Sequence, residues 1–300
     1  MRIVHEPLLA PRTSLGLGGV ALAEISLEQT EDCAGLARVL DREGGRPLAL
    51  GRGSNLLFAD GRLEVVLVRP GLNFLQILED GKHSLLLEAA SGVRLQTVHN
   101  LMLKQGLSGL EGLVGVPASL GGAVAMNAGA FGQDLGKVLQ RVQIWSPETG
   151  LQWLQARELE LGYRSFRPQA VQGFWLLLSV ELELEKRDRQ QVGALMRNNY
   201  RRKKATQPLL AKTCGCVFRN PPGGKSAGYL LQSCGLKGFR LGGVGFSSQH
   251  ANFLVHHGGG SSEQALELIQ VARARVWERY GLELELELRI QDRAKTESQH

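Results

Sequence analysis

The chain has 300 residues, of which 43% are apolar and 6% aromatic, and its formal net charge is +6. The apolar content supports a buried core, and the length indicates two or three domains rather than one. The composition argues against a nucleic-acid-binding protein, which usually has a larger basic excess with interleaved aromatic residues, and no run approaches the ~20 apolar residues of a membrane-spanning helix.

The beginning of the chain does not resemble a secretion signal. Arg2, His5 and Glu6 stand where such a signal would carry an apolar segment. We therefore expect a cytoplasmic protein that associates with no membrane and no nucleic acid, and we expect a monomer.

Short apolar runs alternate with glycine-rich turns and a few amphipathic segments. In the first helix, Leu36, Val39 and Leu40 share one face, and Gly44 follows as a stop signal. In chain order, we predict a helix over 31–44, strands at 46–50, 65–68 and 84–89, and a helix over 93–105 that ends at Gly106.

Two later segments alternate strictly between apolar and other residues, at 180–185 and at 282–288. This pattern predicts strands and places Glu283, Glu285 and Glu287 together on one face. Between them, residues 261–280 predict a helix that a serine begins and Gly281 ends. Since strands and helices do not follow a regular βαβ order, the sequence favours an α+β fold. Breaks near residues 70 and 207 predict domains at 1–70, 71–206 and 207–300.

Two glycine-rich segments are candidates for ligand binding. The first, residues 51–56, follows a predicted strand and has the composition of a backbone loop that binds phosphate, although a plain tight turn fits equally well. Leu56 occupies the third glycine position of a dinucleotide-binding fingerprint and excludes that motif. The second, residues 112–132, removes side-chain bulk over a long path, as close approach to a large flat ligand would require. A tightly packed loop without ligand is the alternative.

The remaining polar clusters carry weaker signals. Cys214 and Cys216 are too close for the usual zinc-binding spacing, and we predict no metal site. The basic residues Arg197 and 201–204 indicate either a solvent-exposed helix end or a positive field for an anionic small molecule.

Taken in order, several motifs resemble the UDP-N-acetylenolpyruvoylglucosamine reductase family of peptidoglycan precursor synthesis. The resemblance spans residues 8–290. Its motifs are residues 13–19, 50–57, 106–130, 162–165, 207–208, 215–221, 227–228, 235–238, 250–253 and 281–288. Arg164 and Cys216 are 52 residues apart (216 minus 164), which resembles the shorter subclass without an inserted substrate-capping loop.

This resemblance implies a fold, a reaction and a set of site residues. It implies two FAD-binding domains of the vanillyl-alcohol-oxidase (PCMH) type and a third, substrate-binding α+β domain. The implied reaction reduces the sugar nucleotide UDP-N-acetylglucosamine enolpyruvate to UDP-N-acetylmuramate, with NADPH as reductant and FAD as cofactor. The implied cofactor-binding residues are Gly51, Arg52, Gly53, Ser54, Asn55, Leu56, Gly115, Pro117, Ala118, Ser119, Gly121, Gly122, Ala123 and Asn127. The implied catalytic residues are Arg164, Cys216 and Glu287, and the implied substrate-binding residues are Tyr163, Arg164 and Asn220.

The catalytic assignments agree with what the chemistry needs. Hydride addition to the enolpyruvyl ether pushes negative charge into the substrate carboxylate, and the guanidinium fork of Arg164 matches a carboxylate in two hydrogen bonds. Glu287 fits a second group that polarises the carboxylate if it holds a proton, although the strand pattern alone does not distinguish it from Glu283 and Glu285. Cys216, where the family usually has serine, fits the proton donor because an ordinary thiol is protonated at neutral pH.

The sequence departs from the family pattern at two further positions. Ala118 stands where the family commonly has glycine, and Tyr163-Arg164-Ser165 is one residue shorter than the usual motif. Two other functions stay open at this point: an FAD-dependent oxidase on the same scaffold, and a non-catalytic protein that binds a flavin or a sugar nucleotide.

Overall fold

The structure is a computed structural model that describes residues 1–292, and within them the chain forms two compact units. The first unit contains Met1–His5, Ala23–Arg52 and Val65–Lys203. The second contains Glu6–Leu22, Gly53–Glu64 and the described residues from Lys204 onward. The division into domains at 1–70, 71–206 and 207–300 stays a prediction, and residues 293–300 of its last domain lie outside the described residues.

The helices and strands follow one another without a regular alternation. The helices are α1 (Cys33–Glu43), α2 (Leu95–Gln105), α3 (Leu120–Val124), α4 (Arg189–Thr206), α5 (Ala227–Ser233) and α6 (Ser262–Tyr280). The strands are β1 (Arg2–His5), β2 (Val20–Leu27), β3 (Arg46–Ala49), β4 (Leu56–Phe58), β5 (Arg62–Pro70), β6 (Leu75–Asp80), β7 (Ser84–Ala90), β8 (Leu107–Ser108), β9 (Gly129–Ala130), β10 (Gln133–Asp134), β11 (Leu139–Ser146), β12 (Gly150–Gln155), β13 (Leu159–Gly162), β14 (Ser165–Pro168), β15 (Leu176–Lys186), β16 (Lys212–Cys216), β17 (Arg240–Leu241), β18 (Val244–Phe246), β19 (Phe253–His256) and β20 (Arg289–Gln291). The predicted α+β class is confirmed.

The first unit is built on two sheets. One has the strand order β1-β2-β5-β3, and the other has the order β12-β11-β15-β7-β6 with β8 added beside β15. The alternation at 180–185 correctly predicted β15: Val180, Leu182 and Leu184 are fully buried. Glu181 is buried as well. Its burial is tolerated because the carboxylate accepts a 2.6 Å hydrogen bond from the Arg141 guanidinium. This sheet supports helix α3, which carries candidate residues of the first unit.

The second unit pairs β16-β19-β18-β17 in one antiparallel sheet and β20 with β4 in a parallel pair. Helix α6 buries Leu268, Ile269, Ala272 and Val276 in the core of this unit. The predicted helix signals at its ends are confirmed: the Ser261 hydroxyl accepts from the Gln264 amide at 3.2 Å, and Gly281 ends the helix with φ +61°.

The strand predicted at 282–288 is wrong. Only Leu286 forms a bridge there, with Phe218, and the strand of this region is β20, which begins at Arg289. Leu284 and Leu288 are nevertheless buried, while Leu282 is 38% exposed. The alternating pattern thus correctly indicated which side chains are buried. A strand also requires a neighbouring strand along its length, and among the described residues this segment has none.

None of the helices in the described residues is both long enough and apolar enough to cross a bilayer.

Candidate active site

The first glycine-rich segment follows the end of β3 and forms a loop. Several backbone amides of this loop make no hydrogen bond within the part of the protein that the structure describes. The Leu50 amide donates to the Val68 carbonyl at 2.8 Å, and the Arg69 guanidinium donates to the Gly51 carbonyl at 2.9 Å. Within residues 1–292, the amides of the next three residues, Arg52 to Ser54, donate to no other protein group. A run of unpaired amides is what a backbone nest needs to bind an anion.

The second glycine-rich segment is partly explained by packing within the protein. A Cβ atom at Gly112 would lie 2.2 Å from the Ala130 carbonyl oxygen, and one at Gly121 would lie 2.5 Å from the Ser91 Cβ. At these two positions glycine is required by neighbouring protein atoms, so the ligand-free alternative accounts for them. Glycine content alone therefore predicts a longer ligand-binding segment than the structure supports.

A cleft of about 230 Å³ in the first unit does expose part of this segment. It is lined by Arg52, Arg94, Gln96, His99, Gly115, Val116, Pro117 and Ala118. Burial lowers the pKa of His99 to about 4, so its ring is neutral at pH 7, and its Nε2 atom donates to the Leu110 carbonyl at 3.0 Å. The charge of this cleft therefore comes from its two arginines.

Helix α3 brings the two glycine-rich segments together. The Ser119 hydroxyl begins the helix by accepting from the Gly122 amide at 3.3 Å. A Cβ atom at Gly51 would lie 2.6 Å from the same hydroxyl oxygen, so the first loop approaches the start of α3 closely. Gly51 and Ser119, far apart in sequence, thus meet in the first unit, and Arg52 and Arg94 of this unit fit an FAD pyrophosphate.

Arg164 lies on a two-residue turn in the same unit. Strands β13 and β14 pair with Gly162 opposite Ser165, which leaves Tyr163 and Arg164 as the turn. Arg164 has φ +54°, a conformation that side chains other than glycine rarely adopt. Its guanidinium donates to the Gly129 carbonyl at 2.9 Å and lies 5.2 Å from the centre of the Tyr163 ring. The structure thus places the two predicted substrate-binding residues of this unit side by side.

Lys203 is a further candidate for the site. In the sequence it is one of the basic residues 201–204, but in the structure it alone of these four is buried. Its ammonium group is buried and donates to the Val114 carbonyl at 3.0 Å. Burial, with a further contribution from the positive charge of Arg164, lowers the pKa of Lys203 to about 8. The spacing of basic residues alone did not distinguish this buried lysine from its neighbours.

The other catalytic candidates lie in the second unit, where one backbone carbonyl joins them. Cys216 ends β16 and is half-buried. The next residue, Val217, accepts hydrogen bonds from the amides of Glu287 and Leu288 at 2.8 and 3.1 Å. The side chain of Asn55 donates to the Glu287 carbonyl at 2.9 Å. Hydrogen bonds to the backbone of Glu287 therefore connect it to Val217, the residue after Cys216, and to Asn55 of the first glycine-rich loop.

The structure also distinguishes the three carboxylates that the alternating pattern left equivalent. Glu283 and Glu285 are exposed, whereas Glu287 is half-buried. Asn220 is placed differently from Cys216 and Glu287, since its side-chain oxygen accepts from the Ala227 amide at 3.0 Å at the start of α5. Burial raises the pKa of the nearby Cys214 to about 12. This thiol therefore stays protonated at neutral pH and packs in the core of the second unit.

Among residues 1–292, no group of three or more histidine, cysteine or acidic side chains is arranged to hold a metal ion.

Comparisons with known proteins agree with this arrangement. A family model described as the C-terminal domain of UDP-N-acetylenolpyruvoylglucosamine reductase matches residues 207–291, and one described as an FAD binding domain matches residues 21–154. The UDP-N-acetylenolpyruvoylglucosamine reductase of Nitratidesulfovibrio vulgaris is 42% identical over 97% of this chain and 98% of that protein. That of Oleidesulfovibrio alaskensis is 45% identical over 96% of this chain and 97% of that protein.

The chain belongs to the UDP-N-acetylenolpyruvoylglucosamine reductase family. A solved structure of the Thermus caldophilus reductase covers 97% of this chain and 99% of its own at 33% identity, with a TM-score of 0.80. The predicted FAD-binding fold and the predicted FAD cofactor are confirmed by these matches. In this reductase family, the present chain carries Cys216 at the position where the sequence resemblance led us to expect serine.

Proposed function

We propose that this chain catalyses the reduction of UDP-N-acetylglucosamine enolpyruvate to UDP-N-acetylmuramate with NADPH, the reaction of its family. The observation that carries the proposal is the placement of Cys216 and Glu287 around Val217, beside Asn55 of the first glycine-rich loop. A chain that only bound the sugar nucleotide would need neither a half-buried cysteine nor a half-buried glutamate in two segments joined through Val217.

When bound, FAD would supply the chemistry of hydride transfer between NADPH and the substrate. For this cofactor, the proposed binding groups are the unpaired amides of Arg52 to Ser54 and the cleft formed by Gly115 to Ala118. Arg52 and Arg94 would offset the charge of its pyrophosphate, since a guanidinium pairs well with phosphate oxygens.

Arg164 is proposed to bind the substrate carboxylate. When a hydride reaches the terminal carbon, negative charge moves into this carboxylate, and a guanidinium fixed before the reaction stabilises that charge. The Arg164 guanidinium carries five N–H donors, and one of them bonds to the Gly129 carbonyl, which fixes the side chain before the substrate arrives. Tyr163, next to it on the turn, is proposed to contact the same substrate.

Cys216 is proposed to donate the proton that completes the reduction at the ether-bearing carbon. Glu287, whose backbone amide bonds to the Val217 carbonyl, is proposed to polarise the carboxylate from a second direction. Asn220 is proposed to bind the sugar nucleotide with its side-chain NH₂ group, because its oxygen already accepts from the Ala227 amide.

The absorption spectrum of the purified protein tests the proposal. We expect a yellow protein with one FAD per chain, which NADPH bleaches without oxygen and which the enolpyruvyl sugar nucleotide then recolours. Rapid recolouring by oxygen alone would favour an oxidase. Bound FAD that NADPH does not reduce, with or without the sugar nucleotide, would favour a binding protein. A colourless protein that takes up no FAD would overturn the whole proposal.

We further propose that the enzyme acts as a monomer in the cytoplasm, without membrane or nucleic-acid partners. Light scattering on the holoenzyme and fractionation of cells expressing it test these points.

A further inference from the structure

The side chain of Asn127 is occupied by two protein partners. Its Nδ2 atom donates to the Gly162 carbonyl at 2.9 Å, and its Oδ1 atom accepts from the Gly136 amide at 2.8 Å. A carbonyl on one side and an N–H group on the other admit only one orientation of the amide. The residue is 8% exposed and has φ +36°, so its backbone conformation is uncommon as well.

One of those partners belongs to the Arg164 turn. Gly162 ends β13 immediately before Tyr163 and Arg164. Asn127 therefore fixes the backbone on the N-terminal side of the turn, and it ties that point to Gly136 in the preceding segment. The packing around Gly136 agrees, because a Cβ atom there would lie 3.1 Å from the Leu161 side chain of β13.

The other end of Arg164 rests on the same segment. Its guanidinium donates to the carbonyl of Gly129, only two residues after Asn127. The segment from 127 to 136 thus holds both the backbone entry to the turn and the tip of the arginine side chain. An arginine in a left-handed conformation needs such surrounding contacts to persist, because that conformation is unfavourable for side chains other than glycine.

We propose that Asn127 is a positioning residue for Arg164, in place of the flavin contact expected from its family motif. The proposal rests on the carboxylate-binding role proposed above for Arg164. An asparagine is needed because the site requires one donor and one acceptor in a fixed orientation. Aspartate keeps the size and the acceptor, but it sets an oxygen against the Gly162 carbonyl.

The test uses Asn127→Asp and Asn127→Ala in the FAD-containing enzyme, with the two half-reactions measured separately. We expect NADPH to reduce the flavin within about threefold of the wild-type rate, with unchanged FAD affinity and an unchanged flavin spectrum. Reduction of the enolpyruvyl sugar nucleotide should fall about 100-fold, since small displacements of a catalytic group have effects of this size. Asn199→Asp is the matched control, because this buried asparagine in the same unit donates to the Glu111 carbonyl and not to the turn.

Combination with Arg164→Lys separates this proposal from the proposed function. If both residues serve one interaction, the double variant Asn127→Asp/Arg164→Lys should be no slower than Arg164→Lys alone. Multiplied losses in the double variant would overturn the positioning role. So would weaker FAD binding with both half-reactions slowed together, or wild-type rates in a folded but less stable protein. A normal rate in Arg164→Lys itself would instead overturn the role of Arg164 in the proposed function.

Discussion

The two regions that carry the candidate catalytic residues are held in place by different kinds of contact. In the first unit, side chains hold the Arg164 turn: Asn127 bonds to Gly162, and Arg164 itself bonds to Gly129. In the second unit, Glu287 is placed through its own backbone groups: its amide donates to the Val217 carbonyl, and its carbonyl accepts from the Asn55 side chain.

This difference decides what a substitution can reveal in each region. Where backbone bonds hold a residue, a change of its side chain alters the chemistry and leaves the placement intact. Where side chains hold the turn, a change can disable the site through geometry, even at a residue that contacts no ligand. Substitutions in the two regions therefore test whether the two kinds of contact have these different consequences.

The largest effect is expected for Cys216→Ala. Loss of a general acid costs about 10²–10⁴-fold, and we expect this loss in substrate reduction alone. Cys216→Ser should remain active, because a hydroxyl can occupy the same place and donate a proton. Single-turnover absorption measurements separate flavin reduction from flavin reoxidation by the substrate. Cys234→Ala, which removes another half-buried thiol of the second unit, serves as the control. A Cys216→Ala enzyme as fast as wild type would show that this thiol only packs.

Arg164→Lys should slow substrate reduction by about 10²–10³-fold, as expected when a preorganised donor to developing negative charge is removed. Lysine keeps the charge but not the two-pronged fork, so the substrate half-reaction should suffer while NADPH still reduces the flavin. The same single-turnover measurement checks this. Equal losses in both half-reactions would mean that Arg164 supports the flavin or the fold.

A smaller effect is expected for Glu287→Gln, because glutamine can still donate a hydrogen bond as a protonated carboxyl does. Complete loss of a hydrogen bond to a charged group costs about 1.5–3 kcal/mol, or roughly 10–100-fold in rate, and we expect a smaller decrease than this because the donor is kept. Its placement should persist, since the bond to Val217 comes from the backbone. Glu285→Gln, at an exposed carboxylate two residues earlier, is the matched control and should leave the rate unchanged. Equal effects at both positions would contradict the distinction drawn from burial.

The smallest effect on turnover, but a measurable one on stability, is expected for His99→Gln. Burial lowers the pKa of His99 to about 4 from an ordinary 6.5, so between these values the unfolded chain binds more protons than the folded one. This contribution to stability is therefore present above pH 6.5 and is lost as the pH falls towards 4, by at most about 3 kcal/mol.

Urea denaturation at pH 7 and pH 4.5 measures this loss. The decrease in stability between the two pH values should be smaller in His99→Gln than in wild type, because glutamine does not titrate. His83→Gln, at an exposed histidine, is the control and should retain the wild-type decrease. An unchanged decrease in His99→Gln would mean that other buried groups, such as Glu111, dominate the acid sensitivity.

Much of the local structure could be predicted from the sequence, because its signals are local. Helices α1, α2 and α6 lie within two residues of their predicted ends, since glycine and serine at the ends act on the adjacent backbone. The family motifs also indicated FAD and the candidate residues Arg164, Cys216 and Glu287, although their roles stay predictions. Lys203 and Asn127 show the limit, because each donates a hydrogen bond to a carbonyl that is distant in sequence.

The α+β class, the family, the cofactor and the burial of alternate leucines at 284 and 288 follow from the amino-acid sequence. The three-dimensional structure was needed to show that residues 282–288 form no strand, that Glu287 is less exposed than Glu285, and which glycines lie against protein atoms. The physical reason is that apolar periodicity records which side chains avoid water, while hydrogen-bond partners and close approaches come from residues far away in the chain.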